Sequence, residues 1–154
     1  MSAPANRRAR RRDDYPYILD YRTRWNDNDM YDHVNNSVYN FLFDSVVNVY
    51  LADHCGIHPP NSPQHPLVAH TSTDFFRSIA YPAVAEVGLR VARLGRSSVT
   101  YELALFERGF EPVCAVCDFV HVFVNRVDGR PGSEGMRPDL RAGLERILRP
   151  ASKI

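Results

Sequence analysis

Ser37-Val-Tyr-Asn-Phe-Leu-Phe-Asp-Ser-Val-Val-Asn-Val-Tyr-Leu-Ala-Asp-His54 decides the fold. No Gly or Pro interrupts it, and Cys55-Gly56 follows as a helix stop. Asn35, Asn36 or Ser37 can cap its start by accepting a backbone N–H bond. Val38, Tyr39, Phe41, Leu42, Phe43, Val46, Val47, Val49, Tyr50 and Leu51 cover nearly the whole circumference, while Ser37, Asn40, Asp44 and Asn48 form one narrow polar stripe. The β-branched content is compatible with a strand, but the length and the single stripe favour a helix. A helix so apolar is a buried one, so the rest of the chain must wrap it.

The flanking sequence supplies the wrapping. Upstream, Tyr17 to Trp25 alternates from Leu19 onward as a first strand, and a polar loop runs from Asn26 to His33. Downstream, a Pro-rich loop from Ile57 to Pro66 leads into four further strand-like runs, Leu67 to Arg77, Ala83 to Leu94, Ser97 to Glu107 and Val113 to Asn125. The short turns between them suit consecutive antiparallel strands. Pro138 then opens a last short helix with Leu140, Leu144, Ile147 and Leu148 on one face. The order predicts an α+β domain in which one sheet curls around one helix.

A chain of 154 residues suffices for one domain with a real core and is short for two. Its 44% hydrophobic and 24% charged residues exclude a disordered or fibrous chain. The net charge of +1 conceals an asymmetry: Arg7, Arg8, Arg10, Arg11 and Arg12 crowd one end and leave the remainder slightly acidic. The folded part therefore has no basic field suited to nucleic acid. Residues 1–15 read as a disordered, solvated Arg-rich arm, with an organellar presequence or a polyanion-binding segment as alternatives. No secretory apolar region or membrane-span run occurs, so a cytoplasmic setting is expected, a mitochondrial one following from the presequence reading.

Cys114-x-x-Cys117 lies inside a strand-like run, where residues three apart face opposite ways, so burial is expected rather than metal binding or redox chemistry. Asp27-Asn28-Asp29 resembles the start of a calcium loop, but Asp32 and Val38 occupy the positions that need Gly and Glu. His54, His58, His65 and His70 surround a Pro-rich loop without a ligand pattern. Neither a G-x-S-x-G nucleophile motif nor a phosphate-binding glycine loop is present.

Arg24-Trp-x-Asp-x-Asp-x-x-x-His-Val-Asn-Asn-x-x-Tyr39 resembles the hotdog-fold thioesterases of the 4-hydroxybenzoyl-CoA thioesterase type. The likeness continues through Asp74-Phe-Phe-Arg77, Arg93-Leu-Gly-Arg-Ser-Ser98 and Val120-His-Val-Phe-Val124, and so covers about Tyr17 to Asn125. It departs at Asp32, where the family often has Gly, and at Asp44, where many relatives have Glu. The resemblance implies a hotdog fold, a strongly curved antiparallel sheet wrapped around a long central helix, over residues 16–150. It also implies a homodimer or homotetramer with active sites between chains, an acyl-CoA substrate, and neither a metal nor a separate cofactor. Lipid metabolism is the expected setting.

Thioester hydrolysis needs a base or nucleophile, and donors for the carbonyl oxygen as it gains charge. A carboxylate just before a helix supplies the first, and the free N–H groups of the first turn supply the second. By its place in the motif, Asp29 matches the family's catalytic carboxylate, as general base or as nucleophile. Asp27 is expected to bond loop backbone and hold Asp29. His33 reads as a general acid for the departing thiolate or as a buried, hydrogen-bonded histidine. Asn35 and Asn36 are expected to fix the helix start, and one of them to orient substrate. Tyr39 is read as core, with lining of the acyl pocket as the lesser alternative, and Asp44 as a water-orienting acid or a satisfied buried one. Arg77, Arg93 and Arg96, with Ser97 and Ser98, are the candidates for the CoA phosphates, since arginine presents a permanent charge and a fork of donors. An acyl-carrier-protein thioesterase or dehydratase of the same fold, and a non-catalytic acyl-binding module, are the alternatives.

Overall fold

The structure is a computed structural model that describes residues 7–150. Its elements are β1 (Tyr17–Arg22), α1 (Asn36–His54), β2 (Gln64–Phe75), β3 (Val84–Leu94), β4 (Ser98–Glu107), β5 (Val113–Asn125) and α2 (Pro138–Glu145), with 3-10 turns at Arg12–Asp14 and Trp25–Asp27. The strands form one antiparallel sheet in the order β1-β3-β4-β5-β2. This is the expected α+β hotdog architecture. Strand boundaries shift modestly from the sequence reading: β1 stops before Trp25, and β2 starts inside the Pro-rich loop and ends at Phe75.

Alternation along the strands builds the core. Val87, Leu89, Tyr101, Leu103, Leu105, Cys117 and Phe119 face α1 and meet its Tyr39, Phe43, Val46, Val47, Tyr50 and Leu51. Each of these fully buried apolar side chains contributes roughly 1.5–3 kcal/mol. Asn35 caps α1, its side-chain oxygen accepting the Ser37 amide at 2.9 Å. At the far end, α2 packs so closely that a Cβ at Gly143 would lie 2.4 Å from the His54 carbonyl oxygen.

The sequence reading of α1 as wrapped nearly all round needs correction. Ser37, Asn40, Asp44 and Asn48 are exposed, and so is Phe41, at 72%. The sheet covers one side of the helix and leaves this strip open. Asp44 is accordingly not buried, and its carbonyl and carboxylate accept bonds from Asn48 one turn on. Cys114 is the extra residue of a bulge, since Leu105 pairs with Ala115 and Phe106 with Val113. Both Cys114 and Cys117 are free and buried, and burial pushes the Cys117 thiol up to about 11.

The arm is a second correction. Residues 1–6 lie outside the described residues, but Arg7 to Tyr15 lie against the outer face of the sheet as a strap. Arg7 is 5% exposed and bridges Asp74 (2.7 Å) and Asp118 (3.1 Å). Arg10 bonds both oxygens of Glu102 at 2.7 and 3.1 Å, and Arg90 and Tyr15 reach the same carboxylate. Arg12 pairs with Glu86 and bonds the carbonyls of Glu107 and Phe110. The Tyr15 ring covers Gly88, where a Cβ would stand 2.6 Å from its Cγ. Composition alone argued for solvation, but Asp118 and Glu102 are directly paired across β5 and β4. Like charges so placed repel unless cations reach them, and the strap brings those cations. Burial by itself would raise Glu102, but the bonds from Arg10 and Tyr15 and the charges of Arg90 and Arg10 outweigh it and hold the carboxyl below its usual range.

Candidate functional site

The loop between β1 and α1 is built by its own acids. Asp27 is buried, accepts the Arg24 amide at 2.7 Å and pairs with the Arg24 guanidinium, which holds its carboxyl below the usual range. Its backbone carbonyl accepts the Asn35 amide at 2.8 Å, tying the loop to the helix start. Asp27 thus bonds loop backbone, as expected. Asp29 stands at the turn. Its amide bonds the His33 carbonyl, its carbonyl accepts the Asp32 amide, and its Oδ1 accepts the Tyr31 amide at 2.8 Å. Asp32 completes this turn with φ of +62°, a conformation that explains why Gly is common at this motif position. Among the described residues no hydrogen bond engages Oδ2 of Asp29.

Asp29 shares a cavity of about 780 Å³ with Tyr31, His33, Val34, Asn35, Asn36, Tyr39, Phe75, Phe76, Arg77 and Ser78. The N-terminal tip of α1 thus opens into it. Of the first-turn amides, those of Ser37 and Val38 are taken by Asn35, and no bond to the Asn36 amide is found among the described residues. The Tyr39 ring, 5.1 Å from that of Phe75, is both core and cavity wall, and burial pushes its hydroxyl up to about 12. His33 is exposed, so the buried alternative for it is set aside. A smaller cavity of about 290 Å³, lined by Trp25, Asn28, Asp32 and Tyr81, is also lined by Asp29.

Asp29, His33, Asn35, Asn36 and Arg77 are therefore brought to one cavity. Arg77 is engaged there, pairing with Glu107 at 2.7 Å and lying over the Phe110 ring. Arg93, Arg96, Ser97 and Ser98 are elsewhere. They lie at the end of β3, in the β3–β4 turn and at the start of β4, and β3 carries the chain about 30 Å from the Asp29 end. Within one chain these residues do not meet the cavity, and Arg96 bonds the Ser133 carbonyl. Phe75 and Phe76 were missed as cavity residues. Two adjacent phenylalanines ending a strand must send one ring to each face, and that was the available signal.

A buried helix cradled by a curved antiparallel sheet, with a carboxylate at the helix's N-terminal tip, defines a hotdog-fold protein of the thioesterase type. The chain belongs to the thioesterase-like superfamily, whose profile matches residues 23–144. The PA5185 protein of Pseudomonas aeruginosa PAO1 is 44% identical, with a TM-score of 0.87 over 92% of this chain and 98% of that one. A thioesterase from Thermus thermophilus, complexed with coenzyme A and zinc, is 25% identical, with a TM-score of 0.72 over 84% of this chain and 98% of that one. A 1,4-dihydroxy-2-naphthoyl-CoA thioesterase from Synechocystis shares the fold at 11% identity, with a TM-score of 0.74 over 83% of this chain and 94% of that one. No curated protein matches the chain. No helix among the described residues is long and apolar enough to cross a membrane.

Proposed function

We propose that this protein hydrolyses acyl-CoA thioesters, with Asp29 as the catalytic carboxylate. The observation that carries the reading is Asp29 sharing one cavity with the N-terminal tip of α1. The thioester carbonyl oxygen sits against the N-terminal tip of α1 at the Asn36 amide, where the helix dipole favours developing negative charge. Asp29, through Oδ2, either draws the proton from an attacking water or attacks the carbonyl itself to give a mixed anhydride that water then opens. In both routes the C–S bond breaks, water supplies the carboxylate oxygen, and the thiolate leaves as the CoA thiol after taking a proton. In this reading His33, which is exposed and lines the cavity, donates that proton. The superfamily match and the coenzyme A named with the Thermus thermophilus relative support CoA as the carrier.

The working unit in this reading is a homodimer, itself free to pair into a tetramer. β2 is an edge strand whose middle is exposed, with Leu67 and Val68 half in solvent. Such an edge is a template for another strand. Antiparallel pairing of two β2 edges lays the 93–98 turn of a second copy toward the Asp29 end of the first. Arg93, Arg96, Ser97 and Ser98 then serve as the phosphate site across the interface, beside Arg77.

Thiol release from a panel of acyl-CoAs, wild type beside Asp29→Asn, tests the proposal. Asp29→Asn should lose about 100- to 10,000-fold in kcat, the range set by a positioned acid or base. Equal release by both proteins refutes the site. Binding of acyl-CoA without turnover of any chain length refutes hydrolysis in favour of a binding module.

A further inference from the structure

The cavity wall at the end of β2 is gripped from the far side of the sheet. Asp74 and Phe76 point to the outer face, and Phe75 between them points inward against Tyr39 in the cavity. Arg7 holds Asp74 at 2.7 Å, and the Arg8 guanidinium lies over the Phe76 ring at 5.4 Å. Phe76 also packs on the outer cluster of Tyr15, Ala104, Phe106, Val113 and Val116. Fixing both neighbours of a strand residue from one face fixes the direction of that residue on the other.

This grip matters because the strand is otherwise thinly held. Within one chain β2 pairs with β5 alone, and beyond Phe75 the amides of Phe76 and Arg77 share a single acceptor, the Cys114 carbonyl, at 2.8 and 3.1 Å. Arg7 is the strap's ionic link to this strand, and its guanidinium also reaches Asp118 on β5. Arg10 makes its ion pair to Glu102 on β4, which lies between β3 and β5, away from the cavity wall.

We propose that Arg7 is a positioning residue for substrate binding: by holding Asp74 on the outer face it sets the Phe75 ring as the inner wall of the Asp29 cavity. The inference rests on the acyl-CoA reading for what fills the cavity, but the held wall is a property of the free protein. Arg7 is then part of the binding apparatus although it does not line the cavity.

Two measurements on the full chain test it, with Arg7→Met, Asp74→Asn and Arg7→Lys set beside Arg10→Met as a strap control. The first is hydrogen exchange of the Phe76 and Arg77 amides without substrate. Arg7→Met and Asp74→Asn should speed exchange there about tenfold or more relative to Arg10→Met at matched temperature below melting, and Arg7→Lys should restore most of the protection. Exchange that rises equally in Arg10→Met, or in no variant, overturns the proposal. The second is steady-state hydrolysis, where Arg7→Met and Asp74→Asn should raise KM roughly 3- to 10-fold with kcat within about twofold, the mark of lost substrate binding rather than lost chemistry. A fall in kcat with KM unchanged, or the same KM rise in Arg10→Met, overturns it as well. If the wild type cleaves no acyl-CoA, the hydrolase reading fails, and the exchange result alone decides whether Arg7 holds the wall. Asp74→Asn leaves the Arg7–Asp118 pair intact, so the test survives if Arg7→Met does not fold.

Discussion

Gly88→Ala should destabilise the protein through a ring that lies 73 residues earlier in the chain. The built Cβ at Gly88 falls 2.6 Å from Cγ and 2.8 Å from Cβ of Tyr15, inside any tolerable contact. The glycine sits mid-strand between flanking β1 and β4, so the backbone has little room to yield. Tyr15 must move instead. Its hydroxyl donates to Glu102 at 2.8 Å, its ring meets Phe106 edge-on at 6.1 Å, and Arg90 lies over it. Overpacking costs about 1–3 kcal/mol, and a strained hydrogen bond to a charged partner adds about 1 kcal/mol. A total near 3 kcal/mol lowers Tm by roughly 6–12 °C in a chain of this size. Tyr15→Ala alone should cost about 3–4 kcal/mol, from the lost burial and the lost bond. Since the three atoms nearest the added methyl all belong to Tyr15, the double variant should be no worse than Tyr15→Ala, giving a coupling energy of about 3 kcal/mol. Thermal and urea unfolding of the four proteins measure that cycle. Additive losses, or an unchanged Tm in Gly88→Ala, would show that the strap does not rest on the sheet.

His121 is buried between Tyr101, Phe119 and Phe123, and burial holds its pKa down to about 4, against an ordinary 6.5. The unfolded chain binds a proton below pH 6.5 that the folded chain refuses until about pH 4. The stability associated with neutral His121 is therefore complete above pH 6.5 and lost as pH falls through that window, roughly 3 kcal/mol in all. His121→Phe should flatten that part of the stability–pH curve, and an unchanged slope in urea titrations counts against it. Glu102→Gln breaks a buried carboxylate shared by Arg10, Arg90 and Tyr15 and should cost about 3–5 kcal/mol at neutral pH. Because the folded pKa of Glu102 is lowered, this penalty should shrink as pH falls from 4.5, where the unfolded chain's acid protonates, through the lower pKa of the folded state. Light scattering should find wild type as a dimer or tetramer, and Leu67→Lys/Val68→Lys as an inactive monomer. An active monomer would remove the two-chain site.

The helix and most strands were legible because their signals are local. A glycine- and proline-free run ending at Cys55-Gly56 marks α1, and the range read for β5 is the range observed. The motif likewise placed Asp29, His33, Asn35 and Asn36 together, since they are neighbours in sequence. What failed was everything set by long-range packing. Five arginines between Arg7 and Arg12 read as a solvated tail because the partners of that segment, Asp74, Glu86, Glu102 and Asp118, are spread over four strands. A hint was available. Arg90, Glu102 and Asp118 each stand mid-strand among apolar neighbours, and a charge there needs a partner from elsewhere. The 93–98 turn could not be placed relative to Asp29, because no local pattern tells which end of a sheet a turn occupies.

The strap also orders events in time. Residues 7–15 leave the ribosome before any strand of the sheet, yet the acids paired with their arginines among the described residues belong to β2–β5, and the Arg10–Glu102 contact alone spans 92 positions of sequence. This segment must wait, charged and unpaired, until β5 has been made and paired with β4. Contacts of such separation form late, after loop closure has been met by other gains. A stretch synthesised ahead of the sheet is then among the last to settle, and its docking reports that the sheet beneath it is complete.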